Sequence, residues 1–414
     1  MNTNDGEDVT SRDYYRNGQF ALKTGSKQPQ CAAAGSVLNN PDPDVAAAEI
    51  KGRGNYSWSF PKKSFTLKLE KGTNLCGMGK SKKWALVAND YDKSLMRNSV
   101  AYALGKKFSN LAWTPDETPV DFYLNGSFRG SYMLVERITA TSAKSAADGG
   151  RIPITEFGDP AEDGLGVDEG GYIVEWDFRH GASTNFFVSG RGWNGLKEPE
   201  DEEWSQARYD YIHNYVEEAD TALDKLRSNP NSQEWKQYID VNSAVDYYLA
   251  MEYLKPVDGN MWASVYMYKP EGADSKLKMG PLWDFDLGEG SADRAGNVVS
   301  PSSWYLRNNL QISAMHPEDA TPKYDTWFNL LNKSTDFRNA HKARWNAIKG
   351  SLDMSGFISS RKTLIASSAD WNFQKWGHSS RISPYQVIKS SSSSDVSYLS
   401  SWMSSRRSWI SGQF

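Results

Sequence analysis

Apolar positions recur with two different periods along the chain, and the change of period divides it into a strand-rich first third and a helix-rich remainder. In "SFTLKL", Phe65, Leu67 and Leu69 alternate with Ser64, Thr66 and Lys68, the pattern of a half-buried strand. "KKWALVAND" predicts the next strand. "DKSLMRNSVAYALGKKFSN" predicts a helix capped by Asp92 or Ser94, with Leu95, Val100, Ala103 and Leu104 on its apolar face. "PVDFYLNGSFRGSYMLVERI" predicts a hairpin closed at Asn125-Gly126, a dipeptide suited to the backbone twist of a two-residue turn. Ahead of these, residues 1–47 read as an irregular lead-in in which "NNPDPD" marks turns.

The middle of the chain adds a strand, "GGYIVEWDF", and a helix with Ile212, Tyr215, Val216, Ala219, Leu223 and Leu226 on one face. A second helix, "DVNSAVDYYLAMEYLK", has Asp240 as cap and is apolar all round, which predicts a central position. Two strands follow, "SVYMYKP" and "KLKMGPLW", joined by "EGADS". From about residue 322 the pattern is helical, ending with Tyr398, Leu399, Trp402, Met403, Trp409 and Ile410 at helical spacing; the serine run Ser390–Ser394 reads as a loop. The expected fold is α+β and bilobal, with an N-lobe over 48–138, a C-lobe over 139–414 and a ligand cleft between them.

Composition narrows the function classes. A net charge of −4 gives no electrostatic footprint for nucleic acid. No apolar run is long enough to predict a membrane span, and the polar start lacks a signal-peptide core, so the chain is either cytosolic or has lost an export signal. Its Trp- and Ser-rich composition leads us to expect an extracellular or cell-surface location. Cys31 and Cys76 are either one disulfide or two separate thiols. Neither they nor His180, His213, His316, His341 and His378 show zinc-ligand spacing, so any metal is expected to be a hard, oxygen-bound cation such as Mg²⁺.

Chemistry concentrates around "SVYMYKP" and "KLKMGPLW". If these strands form an antiparallel hairpin turning near residue 272, Asp258 and Asp284 emerge at the same open end, with Asn260 and Asp286 beside them. Protein kinases use this order: a loop aspartate that orients the acceptor hydroxyl, then a hairpin, then an aspartate that holds Mg²⁺ against the phosphates. The alternative is that both are ordinary turn aspartates. Upstream, "KGRGNYSWSFPKKSFTLKL" offers a glycine-containing turn with Arg53, Lys62, Lys63 and Lys68, which suit a nucleotide phosphate or simply a solvated face. "GMGKSKK" is not a Walker A loop, because Asn74 stands where the first glycine belongs. Arg97, followed by Asn98, can pair with Asp90 or Asp92 on the surface or reach a phosphate. Glu136 ends a strand where a kinase places the connection between its lobes; the alternative is a glutamate in solvent.

Together "RGNYSWSFPKKSFTLKL", "GMGKSKKWALVANDYDKSLMRN", "FYLNGSFRGSYMLVERI", "GGYIVEWD", "KMGPLWDFDLGEG" and "WISGQF" resemble the CotH kinase family from about residue 48 to the end. The resemblance implies an atypical protein-kinase-like fold that binds ATP and Mg²⁺ and phosphorylates protein serine or threonine. It implies Asp258 as catalytic aspartate and Asp284 and Asp286 as metal ligands, with Asn260 or Ser264 as a further candidate. Arg53, Lys62, Lys63, Lys68, Arg97 and Glu136 would then face the nucleotide. Two departures stand out. Ala263 occupies the position five residues after Asp258 where kinases carry a metal-binding asparagine, and "LGEG" adds Glu289 as an extra acid. The first motivates two alternatives: a catalytically weak or inactive binding module of the same fold, or an enzyme that transfers AMP to protein.

Overall fold

The computed structural model describes residues 1–23, 46–141, 151–177, 185–188, 192–200, 203–293, 298–308 and 325–414. Cys31 and "NNPDPD" lie outside these. The described residues hold seven α-helices: α1 (Arg97–Gly105), α2 (Gln206–Asp224), α3 (Val241–Leu254), α4 (Trp327–Leu331), α5 (Thr335–Ile348), α6 (Ser355–Trp376) and α7 (Ser392–Gln413). The protein is mixed α/β and divides into two compact units. The first takes Met1–Val100, Pro115–Arg137 and Ser355–Tyr398, and the second Ala101–Thr114, Ile138–Met354 and Leu399–Phe414. The expected boundary near 138 therefore differs in two places: 355–398 groups with the N-terminal strands, and 101–114 with the second unit.

The first unit is built on seven strands: β1 (Asn2–Thr3), β2 (Arg16–Phe20), β3 (Ala46–Arg53), β4 (Ser64–Asn74), β5 (Lys80–Val87), β6 (Glu117–Leu124) and β7 (Ser127–Glu136). They form an antiparallel sheet in the order β1-β2-β3-β4-β5-β7-β6. Ile50, Leu67, Trp84, Leu86, Phe122 and Leu134 fill its core. The lead-in is not irregular as expected. Val9 and Phe20 join this core, and the Asn125 side chain holds the N-terminal segment, accepting from the Thr3 amide at 2.8 Å and donating to the Glu7 carbonyl at 3.0 Å. Asn125 therefore closes the predicted hairpin and pins a strand that its sequence neighbourhood does not announce. In β4 the polar face is less exposed than the alternation suggests: Ser64 and Thr66 are buried, and Ser64 Oγ accepts from the Ala88 amide at 2.9 Å.

Helix α1 begins at Arg97, later than expected. Asp92 receives the amides of Ser94, Met96 and Arg97 at 2.8–2.9 Å, so residues 92–96 form a capping turn instead of the first helical turn. Ala103 is only half-buried. The serine run is also not a loop: Ser391 Oγ accepts from the Ser394 amide at 3.2 Å, and α7 starts at Ser392.

Within the first unit α6 lies against β7. Asn372 Oδ1 accepts from the Ser131 amide at 3.2 Å, and Trp376 Nε1 donates to the Arg129 carbonyl at 2.8 Å. Gly130 makes this approach possible: its φ is +122°, and a Cβ there would lie 2.6 Å from Asn372 Oδ1 and 2.8 Å from Lys62 Cε. Gly130→Ala should therefore destabilise the protein by about 1–3 kcal/mol, read as a lower denaturant midpoint with unchanged slope. An unchanged midpoint would show that α6 does not press on β7 in solution.

The second unit contains the short parallel pair β8 (Ala140–Thr141) and β9 (Ile152–Pro153). Its main sheet comprises β10 (Tyr172–Trp176), β11 (Asn185–Val188), β12 (Gly192–Glu198), β13 (Val265–Lys269) and β14 (Lys278–Met279), in the order β11-β12-β10-β13-β14. Helix α3 is capped by Asp240, which accepts from the Ser243 amide at 2.7 Å, and every residue from Ser243 to Leu254 is buried, as its all-round apolar pattern predicts. Among the described residues no helix is long and apolar enough to cross a membrane.

Candidate active site

Strands β13 and β14 form the predicted hairpin, with Met267 opposite Met279 and Tyr268 opposite Lys278. The turn is tied by Lys269, whose Nζ donates to the Gly272 carbonyl at 2.8 Å and Ser275 Oγ at 2.6 Å. At the open end two backbone bonds join the flanking loops: Val257 N–H to the Leu287 carbonyl at 3.3 Å, and Glu289 N–H to the Leu254 carbonyl at 2.8 Å. The loop bearing Asp258 and Asn260 and the loop bearing Asp284 and Asp286 are thus held side by side.

The register is shifted from the expected one. Val257, the residue before Asp258, pairs with Leu287, the residue after Asp286, whereas Asp284 meets Ser264, whose Oγ lies 3.5 Å from Asp284 Oδ2. Strand alternation, which would turn Asp286 to the same face as Asp284, does not hold here. Residues 285–288 form a turn, with the Gly288 amide donating to the Phe285 carbonyl at 2.9 Å, and Ser291 Oγ bonds the Asp286 carbonyl at 2.7 Å. Asp284 is exposed and Asp258 and Asp286 are half-buried, while Asn260 is buried. The apolar neighbours explain the presentation. Leu282, Trp283 and Phe285 are buried, Trp283 stacking on Tyr102 at 6.2 Å, so the residue between them is turned outward.

The backbone at this end is also strained. Ten described non-glycine residues have positive φ, and five of them are here: Lys255 (47°), Met261 (59°), Ser264 (58°), Asp284 (66°) and Glu289 (44°). Such conformations cost about 1–3 kcal/mol each and persist where surrounding structure imposes them, often at functional sites. Glu289, the extra acid of "LGEG", is buried.

Among the described residues no group of three or more His, Cys, Asp or Glu side chains gathers in the manner of a preformed metal site. The donors present still suit Mg²⁺, which is commonly held by one or two carboxylates together with substrate phosphates and waters. Asp258, Asn260, Asp284 and Asp286 supply only oxygen donors of that kind and lie on the two joined loops.

The residues expected to face a nucleotide all belong to the first unit. Lys62 is fully buried: its Nζ donates to the Ala88 carbonyl at 2.6 Å and to the Ser131 carbonyl, and its amide donates to Asp90 Oδ2 at 3.2 Å. Arg97 pairs with Asp92, and with 1% and 0% of their side chains exposed this is no surface ion pair. Glu136, expected to face a nucleotide or else solvent, is 1% exposed. Arg53 and Lys63 are half-buried; Arg53 ends β3 opposite Ser64, and Lys63 bonds the Trp58 carbonyl. Lys68, 44% exposed, pairs with Glu49 at 3.3 Å. The non-Walker stretch has a structural explanation, since Asn74 Oδ1 accepts from the Gly79 amide at 3.0 Å and closes the β4–β5 turn.

Burial pulls the Lys62 ammonium down to about 7 against the opposing effect of Asp90, from an unperturbed 10.5. Between those values the unfolded chain binds more protons than the folded one, so this group makes stability rise with pH across that window. The difference in unfolding free energy between the wild type and Lys62→Met should therefore grow from pH 7 to pH 9, by at most about 1.4 kcal/mol per pH unit. A pH-independent difference would mean that Lys62 is solvated.

Sequence reasoning passed over Glu252, Lys255, Tyr305 and Arg406, which lie behind the acid loops. The available signal was a charge set among apolar helical positions: Glu252 in α3, and Arg406 at i+3 and i+4 from Met403 and Trp402.

An acid-bearing loop joined across the end of a hairpin to a second acid-bearing loop is the local arrangement of kinase-like proteins. The CotH kinase protein family matches residues 50–410, a span that takes in both loops, and the chain belongs to that family. Among curated proteins the chain has no match.

Proposed function

We propose that the chain is an ATP- and Mg²⁺-dependent protein kinase that transfers the γ-phosphoryl group to serine or threonine, with its two compact units serving as the lobes of an atypical kinase fold. The observation that carries this reading is the backbone pairing of the Asp258 and Asp284 loops. Asp258 accepts the hydroxyl proton as the acceptor oxygen bonds to the γ-phosphorus and the bond to the ADP oxygen breaks. Asp284, Asp286 and Asn260 would hold Mg²⁺, which would supply charge neutralisation at the phosphates. In the first unit Arg53, Lys63 and Lys68 retain exposure and are the cations best suited to meet the nucleotide. Lys62, Arg97 and Glu136 act from within, by fixing the backbone around it. Cys76 is disulfide-bonded, which supports an extracellular or cell-surface location.

Ala263 supports a second reading. It is buried, and its amide closes the loop onto the Asp258 carbonyl at 3.0 Å, so this position offers no side-chain metal ligand. A weak or inactive binding module, or a transferase of AMP, would follow from that loss. Intact mass after incubation with ATP, Mg²⁺ and a serine-rich peptide separates the outcomes. Added phosphoryl mass is expected; added AMP mass, or no addition with ATP still raising the melting temperature, would overturn the kinase reading.

A further inference from the structure

The segment before Asp258 is held by groups far away in sequence, all within the second unit. Helix α3 ends at Leu254, and the chain turns sharply through left-handed Lys255. Beyond that point the Pro256 and Val257 carbonyls both accept from one group, the Tyr305 hydroxyl, at 3.1 Å for Val257. The same oxygen accepts from the Asn260 backbone amide. One phenol oxygen therefore spans the two residues before Asp258 and a candidate metal ligand two residues after it.

Tyr305 is itself fixed. Its amide donates to Glu252 Oε2 at 2.7 Å, and the Arg307 amide to Glu252 Oε1 at 2.9 Å. Lys255 Nζ donates to the Ser300 carbonyl at 2.8 Å and the Ser302 carbonyl at 3.1 Å. From α7, Trp402 Nε1 donates to the Val299 carbonyl at 2.7 Å, and Arg406 reaches the Pro301 carbonyl at 3.0 Å and the Ser303 carbonyl at 2.6 Å. Segment 298–307 is thus clamped from both sides, and Tyr305 is where the clamp meets the acid loop. A phenylalanine would fill the same space and make none of these three loop contacts. An aliphatic core in this place would need no hydroxyl aimed at two carbonyls and an amide.

We infer that Tyr305 is a positioning residue: its hydroxyl sets the conformation of residues 256–260, and through them the aim of Asp258 at the acceptor hydroxyl. The inference rests on the kinase reading for its consequence, but not for its geometry. A displacement of the order of 1 Å at a catalytic group can cost about 100-fold in rate. Tyr305 is fully buried and acts through the loop, so the effect is expected on the chemical step.

The test compares the wild type with Tyr305→Phe in the full chain, by hydrogen–deuterium exchange and by steady-state kinetics with ATP, Mg²⁺ and a serine-rich peptide. Exchange at the Asn260 and Ala263 amides should rise at least tenfold, while amides of α3 stay protected. The kcat should fall about 10- to 100-fold with the KM for ATP within about twofold. Arg406→Lys, which keeps a charge beside Glu252 but loses the separate nitrogens that bind Glu252 and the 301 and 303 carbonyls at once, should loosen the same amides by a smaller factor. Unchanged exchange at Asn260 and Ala263 in Tyr305→Phe, or an equal rise throughout α3, would overturn the inference whether or not the enzyme turns over. If the wild type transfers no phosphoryl group but Tyr305→Phe still frees those two amides, the positioning of the loop stands and the kinase reading falls.

Discussion

Asp258→Asn should lower phosphoryl transfer by about 10²–10⁴-fold, the range set by loss of a positioned proton acceptor, with little change in the unfolding midpoint. Asp258 is half-buried on a loop whose own backbone bonds remain in the variant, so the fold has no reason to follow the activity. Asp284→Asn should cause a comparable loss by a different route. On the proposed reading, an exposed carboxylate that would hold Mg²⁺ is replaced by a weaker neutral oxygen donor, and raising the Mg²⁺ concentration should restore part of the rate. Asp258→Asn should show no such recovery. Initial rates over a Mg²⁺ titration distinguish the two variants. Equal rescue of both, or of neither, would contradict the separate roles assigned to these loops.

The candidate site is legible in the sequence to different depths, for physical reasons. A hairpin has a centre, and antiparallel pairing makes residues on either side of it meet, so the spacing of Asp258 and Asp284 alone placed the two acid loops at one end. The detail of that meeting was not legible. The pairing centre lies at 273, not 272, because Met267 faces Met279, and in the flanking loops Val257 bonds Leu287 while Asp284 meets Ser264. The left-handed backbone at Asp284 and the turn at 285–288 then decide which carboxylate is exposed, and neither has a residue signature, since no glycine stands at 284.

Burial of charge was the other blind spot. Lysine, arginine and glutamate are usually exposed, so in the sequence Lys62, Arg97 and Glu136 look like groups that face a ligand. Here Lys62 bonds β7 beside the point where Asn372 of α6 approaches Gly130, Arg97 is held by the Asp92 turn, and Glu136 pairs with Trp84 within the sheet. The burial of Lys62 thus involves a helix more than 200 residues downstream. The strands of the lead-in were missed for a similar reason. Asn2–Thr3 and Arg16–Phe20 carry little apolar periodicity of their own and become strands by pairing along an existing sheet edge.

The second large effect concerns the buried pair behind Tyr305. Arg406 and Glu252 have no exposed side-chain surface; their charged groups meet at 3.0 Å, and Arg406 Nε also binds the Glu252 carbonyl at 2.9 Å. Arg406→Met should leave Glu252 as an uncompensated buried acid and cost about 3–5 kcal/mol. Glu252→Leu should be comparably damaging, since it strands the Arg406 charge and removes the acceptor of the Tyr305 and Arg307 amides. If the pair merely neutralised itself, the double variant would be nearly as stable as the wild type, because an apolar pair can replace a buried ion pair at small net cost. Here each partner also serves backbone groups: two amides for Glu252, and the carbonyls of residues 252, 301 and 303 for Arg406. Those groups stay unsatisfied in the double variant, at about 1–3 kcal/mol apiece where no water reaches them. Urea denaturation of all four proteins should therefore show strong positive coupling, with the double variant less damaged than the sum of the singles yet still well below the wild type. Full recovery would reduce Arg406 and Glu252 to a self-contained ion pair. Strict additivity would mean that they do not interact in solution, and α7 would then have no hold on the segment that positions Asp258.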